Sequence, residues 1–157
     1  AMRRQQQALA WKVLQGVHAR DPHPWPQAMP TDPHDTGWSF CYAGMPLFIN
    51  MNFPGHQQMK SRNLGQHITF VINPRENFDE VANASTESGK RIRARIRERV
   101  AHYNDGVMPD TLGAFGDADN YEWKQYQLQE AGSLNPSRCP FHAHAAHQPT
   151  PDILIEN

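Results

Sequence analysis

Residues 38–53 read WSFCYAGMPLFINMNF: an aromatic run, an Ala43-Gly44 turn, then Leu47, Ile49, Met51 and Phe53 alternating with Phe48, Asn50 and Asn52. Period-two alternation around a small turn is the pattern of a β-hairpin with one face in a core. The asparagines fall on the other face of the outgoing strand, since successive side chains point to opposite sides. The next stretch, NFPGHQQMKSRNLG (52–65), is too polar for a core strand. HITFVINPR (67–75) then resumes as a further strand with Ile68, Phe70 and Ile72 on one side. The intervening corner therefore joins two neighbouring strands at one end of a sheet. It carries His56 directly after Pro54 and Gly55, with Lys60, Arg62 and Asn63 close behind.

Upstream, RRQQQALAWKVLQGVHARD (3–21) places Leu9, Val13 and Val17 at helical spacing with Trp11 and Leu14 beside them. That spacing predicts an amphipathic helix ending near Asp21, its apolar set used for packing. PHPWPQAMPTDPHDTG (22–37) holds five prolines in sixteen residues, which excludes a helix or a central strand. Trp25 between two prolines favours an ordered wrap, because a large ring with rigid neighbours loses little entropy on docking. Downstream, residues 85–103 carry Ile92, Ile96, Val100 and Tyr103 on one helical stripe with five arginines around it. Residues 109–128 mix turn residues with a short aromatic strand, and 135–157 form a proline-punctuated tail. The fold expected is α+β: a small, mainly antiparallel sheet packed by the first helix and the Ile92-Ile96-Val100 helix, with long proline-rich loops. One domain over residues 1–157 is expected at this length.

Fifteen Lys and Arg against sixteen Asp and Glu leave a formal charge of -1, which argues against a general nucleic-acid or membrane binder. Cys41 and Cys139 have neither disulfide-scaffold density nor zinc-pair spacing, so free thiols in a reducing cytoplasm are expected. No charged-then-apolar leader is evident, and no apolar run approaches the roughly 20 residues of a membrane helix.

Among nine histidines, His142, His144 and His147 resemble a metal tract and equally an exposed tail that takes up adventitious metal. His56 differs, because Pro54 and Gly55 set its backbone path and a strand-end residue can aim a nitrogen into a pocket. It is read as a ligand, a base or a residue that shapes the chain. Arg62 and Arg75 flank the third strand and suit propionates or a substrate carboxylate, or else pair internally with Glu76, Asp79, Asp117 or Asp119. Nucleotide-binding, zinc-protease and serine-hydrolase motifs are absent from the sequence.

Five blocks together carry a family resemblance: WKVLQGVHARDPHPWP (11–26), DPHDTGWSFCYAGMPLFINMNFPGH (32–56), SRNLGQHITFVINPRENFD (61–79), DNYEWKQY (119–126) and CPF (139–141). They resemble the YqcI/YcgG family of FPC/CPF motif-containing proteins, whose characterised members are haem-dependent N-hydroxylases of arginine or a related guanidine compound. The resemblance implies haem b, dioxygen, and an external electron donor or peroxide. It implies His56 as axial iron ligand, with Cys139 as the rival, and Arg62, Asn63 and Arg75 beside the cofactor. Asp117, Asp119 and Glu122 become candidates for holding a cationic guanidinium, with Arg62 or Arg75 on a carboxylate. A redox partner and a homodimer are further expectations, the latter because no FPC-type segment precedes the Trp11 helix here. Two other readings stand beside this one: a non-catalytic haem carrier or sensor, and a structural or binding module.

Overall fold

The computed structural model describes residues 2–113 and 118–143. In chain order these form α1 (Met2–Ala19), β1 (Phe40–Tyr42), β2 (Met45–Asn52), a 3-10 turn (Lys60–Arg62), β3 (Thr69–Pro74), α2 (Arg75–Val81), α3 (Glu87–Tyr103) and α4 (Trp123–Tyr126). The sheet is antiparallel with order β1-β2-β3, Phe40 opposite Leu47 and Ile49 opposite Ile72. An α+β fold with a small antiparallel sheet is therefore what the chain adopts. No helix among the described residues is long and apolar enough to cross a membrane.

Ala43 and Gly44 both have positive φ, 51° and 76°. That conformation matches the twist of a two-residue hairpin. Alanine is disfavoured there, and the Asp21 carboxylate holds it by accepting from the Ala43 amide at 2.8 Å. From β2, Ile49 and Met51 enter a core completed by Ala10, Trp11, Leu14, Trp38, Phe40, Phe53, Trp123, Tyr126, Cys139 and Phe141. The proline-rich segment is an ordered wrap: Trp25 stacks on Trp38 at 6.4 Å, and its Nε1 donates to the carbonyls of Met29 and Pro30.

Two expectations are corrected, and one element is new. Leu9, Val13 and Val17 do not pack: they are 51, 42 and 37% exposed, while Gln7, Ala10, Trp11 and Leu14 turn inward. Both stripes have helical spacing, and the one carrying the tryptophan buries more apolar area. Residues 123–126 form a helical turn rather than a strand. A turn puts Trp123 and Tyr126 on one side, where both rings meet Trp11 at 6.3 Å; a strand would send them to opposite faces. Segment 75–81, directly after Pro74, is a helix that propensity and spacing did not announce.

The Ile92-Ile96-Val100 helix forms as expected but does not lie flat on the sheet: Ile96 is 41% and Tyr103 is 63% exposed. Its ends are pinned instead. Thr86 Oγ1 caps the Gly89 amide at 3.1 Å, and a Cβ on Gly89 would stand 1.9 Å from the Asn83 carbonyl oxygen, so only glycine fits. At the other end Asn104 Oδ1 accepts from the Ser61 amide at 2.8 Å.

Candidate functional site

The gap under α3 is a cavity of about 560 Å³. Its floor follows from the alternation of β2. Leu47, Ile49 and Met51 face the core, so Phe48 and Asn50 face the other way and line the cavity. Phe78 of α2 stacks on Phe48 at 5.6 Å, and Ile96 and Val100 of α3 form an apolar roof.

Polar groups converge on this space. Glu122, 1% exposed, lines it and receives Nη1 of Arg75 at 2.5 Å through one oxygen. Its other oxygen, Oε2, has no hydrogen-bond partner, and neither do Asn50 Oδ1 and Ser61 Oγ, whose residues also line the cavity. Burial pushes the Glu122 carboxyl up to about 7, although the Arg75 guanidinium pulls it the other way. Arg62, 6% exposed, donates to the carbonyls of Tyr126 and Gln125 at 3.0 Å each. Burial draws Arg62 down to about 9, which leaves it charged at neutral pH. Arg93 and Arg97 reach the cavity from α3, where they donate to the carbonyls of Ala82 and Leu112. Four arginines around one carboxylate give the space a net positive field.

His56 lies elsewhere. Its side chain is fully enclosed, with Nδ1 3.3 Å from Glu130 Oε2. That contact is close but not aligned for a hydrogen bond, so both ring nitrogens lack a partner. Burial draws the histidine below its ordinary value, with Glu130 opposing. Glu130 organises the corner: it accepts from the amides of Gln57, Gln58 and Met59 at 2.8 to 2.9 Å and pairs with Arg3 at 2.9 Å. Burial raises this carboxyl, but the amide bonds and His56 outweigh burial and hold it below the ordinary range. Asn63 closes the same corner by donating to the carbonyls of Pro54 and His56.

The other sequence candidates fall in different places. Cys139 is buried in the aromatic core, where burial pushes its thiol up to about 12. Asp119 is exposed and outside the cavity lining, whereas Asp117, His144 and His147 lie outside the described residues. Thus Arg62, Arg75 and Glu122 come together at the cavity, and His56, Asn63 and Cys139 do not. The sequence reading missed Arg93 and Arg97, whose spacing beside Ile92 and Ile96 was a usable sign. Glu130 carried no local signal, because the amides it caps are more than seventy residues away.

Haem can be tested against this geometry. The unpartnered Nε2 of a buried, neutral histidine is a suitable iron donor. His56 does not line the cavity, however, and the described lining contains no His, Cys, Met or Tyr. Donor and space are apart, so the described residues do not fit haem at one place. Among them there is also no cluster of three His, Cys, Asp or Glu able to hold a metal ion.

A model of the YqcI/YcgG family matches residues 2–142. The chain is 47% identical over 137 residues to a Streptomyces lavendulae protein named "Putative N(omega)-hydroxy-L-arginine synthase DcsA", with 87% of this chain aligned to 51% of that one. It is 36% identical over 133 residues to "Uncharacterized protein YcgG" of Bacillus subtilis (strain 168), covering 85% of this chain and 51% of that protein. For "Uncharacterized protein YqcI" of the same strain the identity is 33% over 135 residues, covering 86% and 52%. The chain spans about half the length of the curated relatives it matches. No solved structure gives a significant match.

Proposed function

Because the chain belongs to the YqcI/YcgG family, we propose that it serves the N-hydroxylation of an arginine-like amino acid, bound in the cavity under α3 with its guanidinium against Glu122. The name carried by the Streptomyces relative supports the reaction class. The observation that carries the site is the trio of unpartnered oxygens on residues that line the cavity: Glu122 Oε2, Asn50 Oδ1 and Ser61 Oγ. A guanidinium has five N–H donors and no acceptor, so it complements a lining that offers acceptors. For the substrate's carboxylate, Arg93 and Arg97 reach the cavity from α3 and supply the planar donors that such a group prefers. Phe48, Phe78, Ile96 and Val100 flank the methylenes between and keep water from them.

In the proposed reaction one substrate N–H becomes N–OH. Dioxygen supplies the inserted atom, and its second oxygen leaves as water with two electrons and two protons from an external reductant. The family resemblance implies haem with His56 as its iron donor, and no step is routed through it, because that donor does not line the cavity. Since donor and cavity are apart, the chain's own contribution is limited to binding: Glu122 orients the terminal nitrogens and the arginines fix the far end.

Calorimetric titration tests the site. L-arginine is expected to bind at least about tenfold more tightly than L-citrulline, whose neutral urea replaces the guanidinium, and than agmatine, which lacks the carboxylate. Equal affinity for arginine and citrulline would overturn the assignment of Glu122. Absorption during haem titration tests the cofactor, and mass spectrometry of L-arginine incubated with the haem-loaded protein, oxygen and reductant tests the reaction. Saturable haem binding and a product heavier by one oxygen are the expected results. Nonsaturable haem uptake with no such product would leave a binding module.

A further inference from the structure

The sheet ends on an open edge at β3. Its opposite edge, β1, is three residues long and packs against α1. Strand β3 pairs residue for residue with β2 from Thr69 to Pro74, without a bulge, and packs otherwise mainly on α2. Among the described residues, Phe70, Val71 and Ile72 make no backbone hydrogen bond outside the β2 ladder. Every second residue of an edge strand points its amide and carbonyl away from the neighbouring strand, so the outer row of β3 is unpaired.

Such edges are ordinarily blunted by a lysine, a proline, a bulge or an inward charge, because they pair readily with any other strand. Residues 65–73 carry no Lys, Arg, Asp or Glu, and proline enters only at 74, where the strand ends. The apolar side chains are uncovered as well. Val71 is 37% and Ile72 52% exposed, although Ile72 sits opposite the fully buried Ile49. The core thins out at this edge instead of closing over it.

We propose that β3 pairs with β3 of a second copy of this chain, antiparallel about a two-fold axis at Val71. The sequence around that residue is symmetric in chemistry: Thr69-Phe70-Val71-Ile72-Asn73 runs polar, three apolar, polar. Self-pairing there sets Val71 against Val71, Phe70 against Ile72 and Thr69 against Asn73, so apolar meets apolar and the polar ends meet each other. Centring one residue later would set Val71 against Asn73 and Phe70 against Pro74, which has no amide to give. A patch that pairs with itself closes at two copies and leaves no further edge of its kind. Asn73 lines the cavity under α3, so Thr69 of the second copy comes to its rim. One strand edge is a small contact, which makes for a weak, concentration-dependent dimer.

Sedimentation of the full chain from about 1 μM to about 1 mM tests the pairing. The wild type is expected to pass from monomer to dimer over this range. Val71→Lys, at a half-exposed position, brings two like charges together at the axis and should raise the dissociation constant about tenfold or more, with a circular dichroism spectrum like the wild type's. Single cysteines read the register. Opposite residues stand roughly 4.5–5.5 Å apart, within disulfide reach, and the native Cys41 and Cys139 are buried. Under mild oxidation Val71→Cys should form a disulfide-linked dimer by itself, whereas Thr69→Cys and Asn73→Cys should each do so slowly alone and quickly when mixed. A wild type that stays monomeric throughout would overturn the proposal. So would a folded Val71→Lys variant that dimerises like the wild type, or equal cross-linking of the three cysteine variants alone.

Discussion

Replacing Glu122 by glutamine removes one charge from the cavity wall while keeping its shape. The carboxyl is 1% exposed, and burial holds it at about 7. On that value, roughly a tenth of the wild-type sites are ionised at pH 6 and roughly nine tenths at pH 8. L-arginine should therefore bind the wild type about ninefold more tightly at pH 8 than at pH 6, because only the ionised form offers a charge to the guanidinium. At pH 8, loss of a charge-assisted contact of this kind costs about 1.5–3 kcal/mol, or roughly 10- to 150-fold in Kd. Glu122→Gln should show that loss at pH 8, little of it at pH 6, and a flat profile between. Calorimetry at three pH values reads all of this, and L-citrulline provides the neutral control. A wild-type affinity that does not change across this range, or an equal loss at both ends, would refute the placement of the guanidinium at Glu122. Stability moves the other way. A carboxyl raised from 4.5 to about 7 by folding contributes stability that is full below 4.5 and is lost as pH rises toward 7. Removing the titration should make Glu122→Gln relatively more stable at pH 8 than at pH 5, as read by thermal melts.

Three further outcomes are expected. His56→Ala should abolish haem ligation while Cys139→Ala leaves a histidine-type spectrum, and a thiolate-type ferrous-carbonyl spectrum in the His56 variant would move the ligand to a cysteine. Gly89→Ala should destabilise the chain by about 1–3 kcal/mol, the reverse of the usual gain inside a helix, because its Cβ meets the Asn83 carbonyl; an unchanged or raised Tm would contradict the tight approach. Glu130→Gln should weaken the corner by about 2–4 kcal/mol at neutral pH, since Arg3 loses its partner charge and three amides lose a carboxylate. The Glu130 carboxyl is held below 4.5 by folding, so its stabilisation is present above that value and lost as pH falls below it; the difference between wild type and variant should shrink in acid denaturation curves.

The hairpin and third strand were legible because alternation and turn chemistry are local properties of Phe40 to Asn52 and Thr69 to Pro74. Helix α1 was legible as a helix, but its buried face was not: two apolar stripes competed, and only the three-dimensional surroundings of Trp11 decided between them. For α3 the stripe was legible and its height above the sheet was not, because that depends on Gly89, Thr86 and Asn104 holding the two ends. The cavity was invisible for the same reason. Glu122 could be noted as an acid in a polar run, yet the burial that raises its carboxyl and its pairing with Arg75, forty-seven residues earlier, are set only in three dimensions.

Strand β2 serves two compartments at once, since Ile49 and Met51 complete the core while Phe48 and Asn50 floor the cavity. A slip of one residue in its pairing would drive Asn50 among the tryptophans and eject Ile49. The hydrophobic core thereby proofreads the cavity floor, because any chain that folds stably has already put Asn50 on the cavity side. Sequence drift on the roof, at Ile96 or Val100, meets no such censor, and the length of ligand the chain accepts is free to diversify there without endangering the scaffold.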